Sequence, residues 1–167
     1  MITEQEYLDI YDVVGAAMEV FNALGRGMSE PIYQEALALE MKLQGMEVER
    51  EKPLHLYYKD MQLNKVYFAD FYYNGIVIEL KSVDEISSEH RAQLFNYMRV
   101  SKQDKGILLN YGEKKLRAER YIFDDETDGF TLLTKQNYMQ YVIRNKYNYD
   151  YYDNFFQENF DCFFQSV

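Results

Sequence analysis

Apolar side chains recur at Tyr7, Ile10, Tyr11, Val14, Met18 and Phe21, the spacing of one face of an α-helix. Thr3-Glu4-Gln5-Glu6 ahead of them has the form of a capping box, in which the threonine and glutamate side chains each satisfy an otherwise orphaned backbone N–H. Gly25 and Gly27 end the pattern, as glycine does at helix C-termini. A second helix is predicted from Ser29 to Gln44, with Tyr33, Leu37 and Met41 on one stripe and Gly45 beyond. Pro31 fits because the first turn has no partner for its N–H.

After Gly45 the period shortens to two. Runs rich in β-branched and aromatic residues predict strands at 46–50, 54–59, 66–73 and 76–83. A helix is expected from about Ser87 to Ser101, then a buried strand Gly106–Asn110 and a further strand over Leu116–Phe123. Helices, a meander, a helix and more strands define an α/β (α+β) chain with one central mixed sheet flanked by helices. The expected domain covers residues 1–123. Residues 124–167 read as an aromatic, acidic extension, in which Tyr152, Phe156, Phe160, Phe163 and Phe164 keep roughly helical spacing. Such a stripe predicts a C-terminal helix packed on the core or on a partner, with a homo-oligomer as one outcome.

The turn at Asn74-Gly75 fixes a register. Asn-Gly is the strongest signal for a two-residue hairpin, so Tyr73 pairs with Ile76 and, counting back, Asp70 pairs with Glu79. Two carboxylates then face each other with Cβ atoms about 4.5–5.5 Å apart, where like charges repel. Alternation puts Val77, Glu79 and Lys81 on one face and Ile78 and Leu80 on the other. A hard divalent cation removes the conflict, because Mg²⁺ is typically held by one or two carboxylates plus water and phosphate oxygens. The same residues also suit a surface on which Lys81 bridges the two acids and no ion binds.

Charge qualifies this picture. The net −10 argues against a strongly basic nucleic-acid binder. From Arg99 to Arg120, however, seven basic residues face three acidic ones, and from Tyr121 onward three basic face eight acidic. The basic stretch has the form of a solvated helix end and loop. The lone Cys162 excludes an intrachain disulfide, the N-terminus is acidic, and no run of 18 apolar residues occurs, so the expectation is a soluble, cytoplasmic protein without membrane contact. His55 and Cys162 have no sequence partners that suggest a metal site or a nucleophile pair, and His90, one turn before Gln93 and so near the same edge, reads as a structural histidine.

Asp70…Glu79-Leu80-Lys81 resembles the PD-(D/E)XK nuclease signature, and the helix–strand–strand–strand–helix–strand order around it matches that superfamily's core. Gly27-Met28-Ser29-Glu30-Pro31-Ile32-Tyr33 fits the GxxExxY pattern of a family within it. Gln93-Leu94-Phe95-Asn96-Tyr97 resembles the Gln-x-x-x-Tyr motif of its exonuclease-like branch. Phe68-Ala69 stand where the nominal proline precedes the aspartate.

The resemblance implies a restriction-endonuclease-like fold and a nuclease dependent on Mg²⁺ or Mn²⁺. Asp70, Glu79 and the backbone carbonyl of Leu80 would be ligands. Lys81 would position or activate water, Glu30 would face the site, and Gln93 would contact substrate or water. Tyr97 and Arg99 are expected to contact substrate. The expected partner is nucleic acid, in the form of DNA ends or single-stranded segments, given the short supply of basic residues. The alternatives are a nuclease-fold binding or regulatory module without turnover, and an interaction protein acting through its aromatic tail.

Overall fold

The structure, a computed structural model, describes residues 1–124 and 127–143. The expected helix bearing Tyr152 to Phe164 lies outside them, as does Cys162. The elements run β1 (Ile2–Thr3), α1 (Glu4–Leu24), α2 (Glu30–Leu43), β2 (Glu49–Tyr58), β3 (Met61–Tyr73), β4 (Ile76–Lys81), α3 (Ser88–Ser101), β5 (Lys105–Asn110), β6 (Arg117–Asp124), β7 (Gly129–Leu132), α4 (Tyr138–Tyr141) and β8 (Val142–Ile143). Six strands form a mixed sheet in the order β2-β3-β4-β5-β6-β7, with β4 and β5 parallel and the other pairs antiparallel. A small parallel pair, β1 with β8, lies apart from it. No helix among the described residues is long and apolar enough to cross a membrane.

The sheet carries a core on each face. Ile76, Ile78, Leu80, Ile107 and Leu109 pack against α1 and α2, whereas Val77 and Leu108 pack with Leu94, Tyr97 and Met98 of α3. β4 and β5 are therefore buried along their whole length, as expected of parallel strands covered on both sides. Gly106 permits the close approach of α3, because a Cβ there would sit 2.5 Å from Met98 Sδ. The capping box of α1 forms, with the Thr3 N–H donating to Glu6 Oε2 at 2.6 Å and the Glu6 N–H to Thr3 Oγ1 at 3.2 Å.

The strands depart from expectation at one end. Segments 46–50 and 54–59 are one strand, β2, because Pro53 lies on an edge strand, where a missing N–H is tolerated. β3 begins at Met61 rather than Val66, since Lys59-Asp60 closes a second two-residue hairpin, with Lys59 at φ 53°. β3 pairs with β4 only through Phe71, Tyr72 and Tyr73. Its earlier residues pair with β2 alone, so the two strands run on as a two-stranded arm. Strands β1, β7 and β8 were not anticipated.

Candidate active site

Asn74 and Gly75 adopt φ 45° and 82°, both left-handed, as a type I′ turn requires. The resulting pairs are Tyr73–Ile76, Tyr72–Val77 and Phe71–Ile78, the register that the turn predicts. At Asp70 regular pairing stops. In an uninterrupted ladder the Leu80 N–H would bond to the backbone at Ala69; it donates instead to Asp70 Oδ2, at 2.8 Å. On the other side of β3, pairing with β2 skips the Asp70 position, where Glu51 has φ 45°. Asp70 thus sits where β3 loosens from both neighbours.

The two helical layers reach this fork from opposite faces. Gln34 of α2 donates through Nε2 to Asp70 Oδ1 at 2.8 Å. Gln93 of α3 donates through Nε2 to Glu79 Oε2 at 3.0 Å, and the same nitrogen lies 3.1 Å from Tyr97 Oη. Lys81 Nζ lies 3.3 Å from Glu79 Oε2. Beyond Lys81, Asn110 clasps Val83, accepting its N–H at 3.0 Å and donating to its carbonyl at 2.9 Å. Gly112 is obligatory beside that clasp, because a Cβ would come within 2.1 Å of the Val83 carbonyl oxygen.

The electrostatics are strained. Glu79 is 1% exposed; burial and the neighbouring Asp70 push its carboxyl up to about 8, despite Lys81. Burial also raises Asp70, with Glu30 and Glu51 adding to the effect and the Leu80 N–H and Lys81 opposing it. Burial alone would lower Lys81, but Glu79, Glu30 and Asp70 together hold its ammonium above the usual range. Glu30, at the start of α2, therefore acts on both Asp70 and Lys81.

The structure accordingly brings Asp70, Glu79, Leu80, Lys81, Gln93 and Tyr97 together, with Glu30 felt through space. Arg99 lies on another side of α3, its guanidinium over the Phe130 ring at 5.0 Å. His90 caps α3, its Nδ1 accepting the Ser87 N–H at 3.1 Å. Gln34 was not anticipated; the available signal was its position one helical turn after Glu30, on the same face. The basic stretch from Arg99 to Arg120 is less solvated than expected. Lys105 and Arg120 are buried, Lys105 pairs with Glu6 and Asp104, and Arg117 pairs with Glu113 and Glu119, because these residues lie on strands of the covered sheet.

Among the described residues no group of three or more His, Cys, Asp or Glu side chains is arranged to hold a metal ion. The donors at the fork are two carboxylates, with the Leu80 carbonyl in the adjoining backbone. This set fits a hard dication of the Mg²⁺ kind, which uses one or two carboxylates and completes its shell with water and phosphate. The raised carboxyl groups agree, since a nearby positive charge would relieve them.

Residues 8–121 match the family model of the PD-(D/E)XK nuclease superfamily, and the chain belongs to that superfamily. Its nucleases generally use divalent metals, so membership suggests a nuclease that binds nucleic acid. Among solved structures, the chain is similar to one described as the crystal structure of SSO0001, at 19% identity and a TM-score of 0.41, over 92% of this chain and 76% of that one. No curated protein matches.

Proposed function

We propose that the chain is a Mg²⁺- or Mn²⁺-dependent nuclease that hydrolyses phosphodiester bonds of DNA. The observation that carries this reading is Glu79, buried beside Asp70 with its carboxyl raised to about 8 and one oxygen shared by Lys81 and Gln93. Such a perturbed group with a specific charged partner is a functional-site signature. Asp70, Glu79 and the Leu80 carbonyl would hold the ion, which when bound would neutralise the acid pair and charge developing on phosphate.

The remaining roles belong to the chain itself. Lys81, kept protonated by its carboxylates, orients the attacking water or stabilises the transition state. Gln93 fixes the Glu79 carboxylate, Tyr97 supports Gln93, and Glu30 holds the Lys81 ammonium in its charged form. Arg99 is assigned to substrate rather than to the reacting centre. We also assign the chain to the GxxExxY group. In support, Tyr33 Oη donates to the Gly25 carbonyl at 2.7 Å and accepts the Met28 N–H at 3.1 Å, pinning the glycine loop that presents Glu30.

Lys81→Ala tests the proposal. Turnover of single-stranded, flapped or blunt DNA with Mg²⁺ or Mn²⁺ should fall about 100-fold or more, while the rise in melting temperature produced by Mn²⁺ is retained. Equal cleavage by wild type and variant would sink the assignment. A second reading, a nuclease-fold module without turnover, is favoured by one observation: every oxygen of Asp70 and Glu79 already has a protein donor. It predicts pure wild type that binds Mn²⁺ and cleaves none of these substrates.

A further inference from the structure

The arm and the far end of α3 enclose a second feature, separate from the carboxylate fork. A cleft of about 660 Å³ lies between them, lined by His55, Tyr57, Lys59 and Asp60 from the arm and by Arg99 and Lys102 from the end of α3. Lys59, Arg99 and Lys102 are exposed, and none forms an ion pair among the described residues, the Arg99 guanidinium resting only against the Phe130 ring. Lys81, Arg91, Lys105 and Arg117, by contrast, are each neutralised by a carboxylate. The helix dipole accounts for cations at the end of α3. It does not account for Lys59, which a different element brings to the same place.

Aromatic surface accompanies the charge. Tyr57 and Tyr58 are 62% and 65% exposed, and Lys59 Nζ lies 5.6 Å from the Tyr58 ring centroid. Exposed rings beside a cationic groove are the means by which proteins hold single-stranded nucleic acid, stacking bases and tracking phosphates. Three cations on a chain of net charge −10 are few for a long duplex, whose affinity rests on many phosphate contacts. Pairing with another strand is hindered, since β2 carries Pro53 and a register shift between His55 and Tyr57. Along α3, Gln93 at the fork and Lys102 at the cleft are nine residues apart, or about 13 Å of helix. The cleft therefore lies within a few nucleotides of the carboxylate pair.

We propose that the cleft between the β2–β3 arm and the C-terminal end of α3 binds a single-stranded nucleic-acid backbone through Lys59, Arg99 and Lys102, with Tyr57 stacking a base. That the bound strand is the one cleaved at Asp70 and Glu79 rests on the nuclease reading; the binding itself does not. The test is fluorescence anisotropy of a labelled oligothymidylate with the full-length protein in EDTA, so that no cleavage intervenes. The combined variant Lys59→Ala, Arg99→Ala, Lys102→Ala should bind at least tenfold more weakly. Its dependence of log affinity on log salt should be shallower by about 2, the loss expected for three single-strand phosphate contacts. Tyr57→Ser should weaken binding about tenfold, whereas Lys59→Arg with Lys102→Arg, which keeps both charges, should bind as wild type does.

The rise in melting temperature on adding Mn²⁺ should be the same in the alanine variant as in wild type, showing that the fork is intact. The proposal is overturned if wild type does not bind the oligonucleotide or if the alanine variant binds it equally well. It is also overturned if the variant changes only the oligomeric state in sedimentation, which would make the face a contact between copies. Binding through the cleft without cleavage by wild type removes the nuclease reading and leaves the cleft standing. Cleavage with unaltered binding in the variant does the reverse.

Discussion

Two buried glutamates occupy one cross-strand row of the sheet and meet opposite fates. Glu79 on β4 pairs with Leu108 on β5, and Leu108 pairs with Glu119 on β6. Both acids are 1% exposed. Glu119 accepts two bonds of 2.7 Å from Arg91, one of 2.9 Å from Arg117 and one of 2.8 Å from Tyr121. Burial would raise its carboxyl, but these partners hold it below the usual range. Glu79 has one ammonium, a neutral amide and a second acid beside it, and its carboxyl rises to about 8. Both are equally shielded from solvent, but Glu79 lies deeper among protein atoms, so depth and partners together separate them. A carboxylate surrounded by matched donors is scaffold, and Arg91 uses it to fix α3 on the sheet. A carboxylate left in conflict is available for chemistry.

Neutralising each acid should break the symmetry most visibly. Glu119→Gln removes the charge that two arginines share and should cost about 3 kcal/mol, lowering the melting temperature by roughly 6–12 °C for a chain of this size. Glu79→Gln at pH 8 without metal should leave the melting temperature unchanged or raise it, because it removes the repulsion with Asp70. Equal losses in the two variants, measured by thermal unfolding at that pH, would show that Glu79 is scaffold as well.

pH sharpens the same contrast. Between the ordinary glutamate value of 4.5 and about 8, folded Glu79 keeps a proton that the unfolded chain has lost. Stability from this group is therefore fully present below about pH 4.5 and is lost progressively as pH rises towards about 8. Glu119 has the opposite sign, since its lowered carboxyl makes its contribution vanish only on acidification. Urea unfolding of metal-free protein at pH 5, 6.5 and 8 should show the decline. Asp70→Asn should flatten it and remove the stabilisation by Mn²⁺. A slope unchanged in Asp70→Asn would place the proton elsewhere.

How much of this was legible in the sequence follows from the same physics. Asn74-Gly75 fixed a register because few residues tolerate two consecutive left-handed conformations, and the register brought Asp70, Glu79 and Lys81 together. Lys59-Asp60 makes an equally tight turn without glycine, so β2 and β3 were read too short and the arm went unseen. The Glu119 clamp was hidden within a basic stretch that read as solvated, since its burial depends on α3 and on the row it shares with Leu108. Gln34 carried only the weak signal of lying one helical turn after Glu30. An amide on a helix is as compatible with water as with a carboxylate, and only the approach of α2 to the loosened end of β3 decides between them.

Gln34 supplies the smallest of the expected effects, and the most specific. Its amide on Asp70 at 2.8 Å mirrors that of Gln93 on Glu79 at 3.0 Å, one from each helical layer. Gln34 is half-buried and forms a single neutral-to-charged hydrogen bond, so Gln34→Ala should cost only about 1 kcal/mol. Loss of a donor disfavours the ionised form of Asp70 and frees its carboxylate to rotate. Groups that orient a metal ligand typically change metal affinity by about 10–100-fold, so the Mn²⁺ concentration that half-saturates the melting-temperature shift should rise by about tenfold. The Lys59, Arg99 and Lys102 cleft lies on the α3 side, and oligonucleotide affinity in EDTA should not change. If the Mn²⁺ response of Gln34→Ala equals that of wild type while Asp70→Asn abolishes it, Gln34 only packs α2 against the sheet. The conflict at the fork would then be set by Asp70, Glu79 and Lys81 alone.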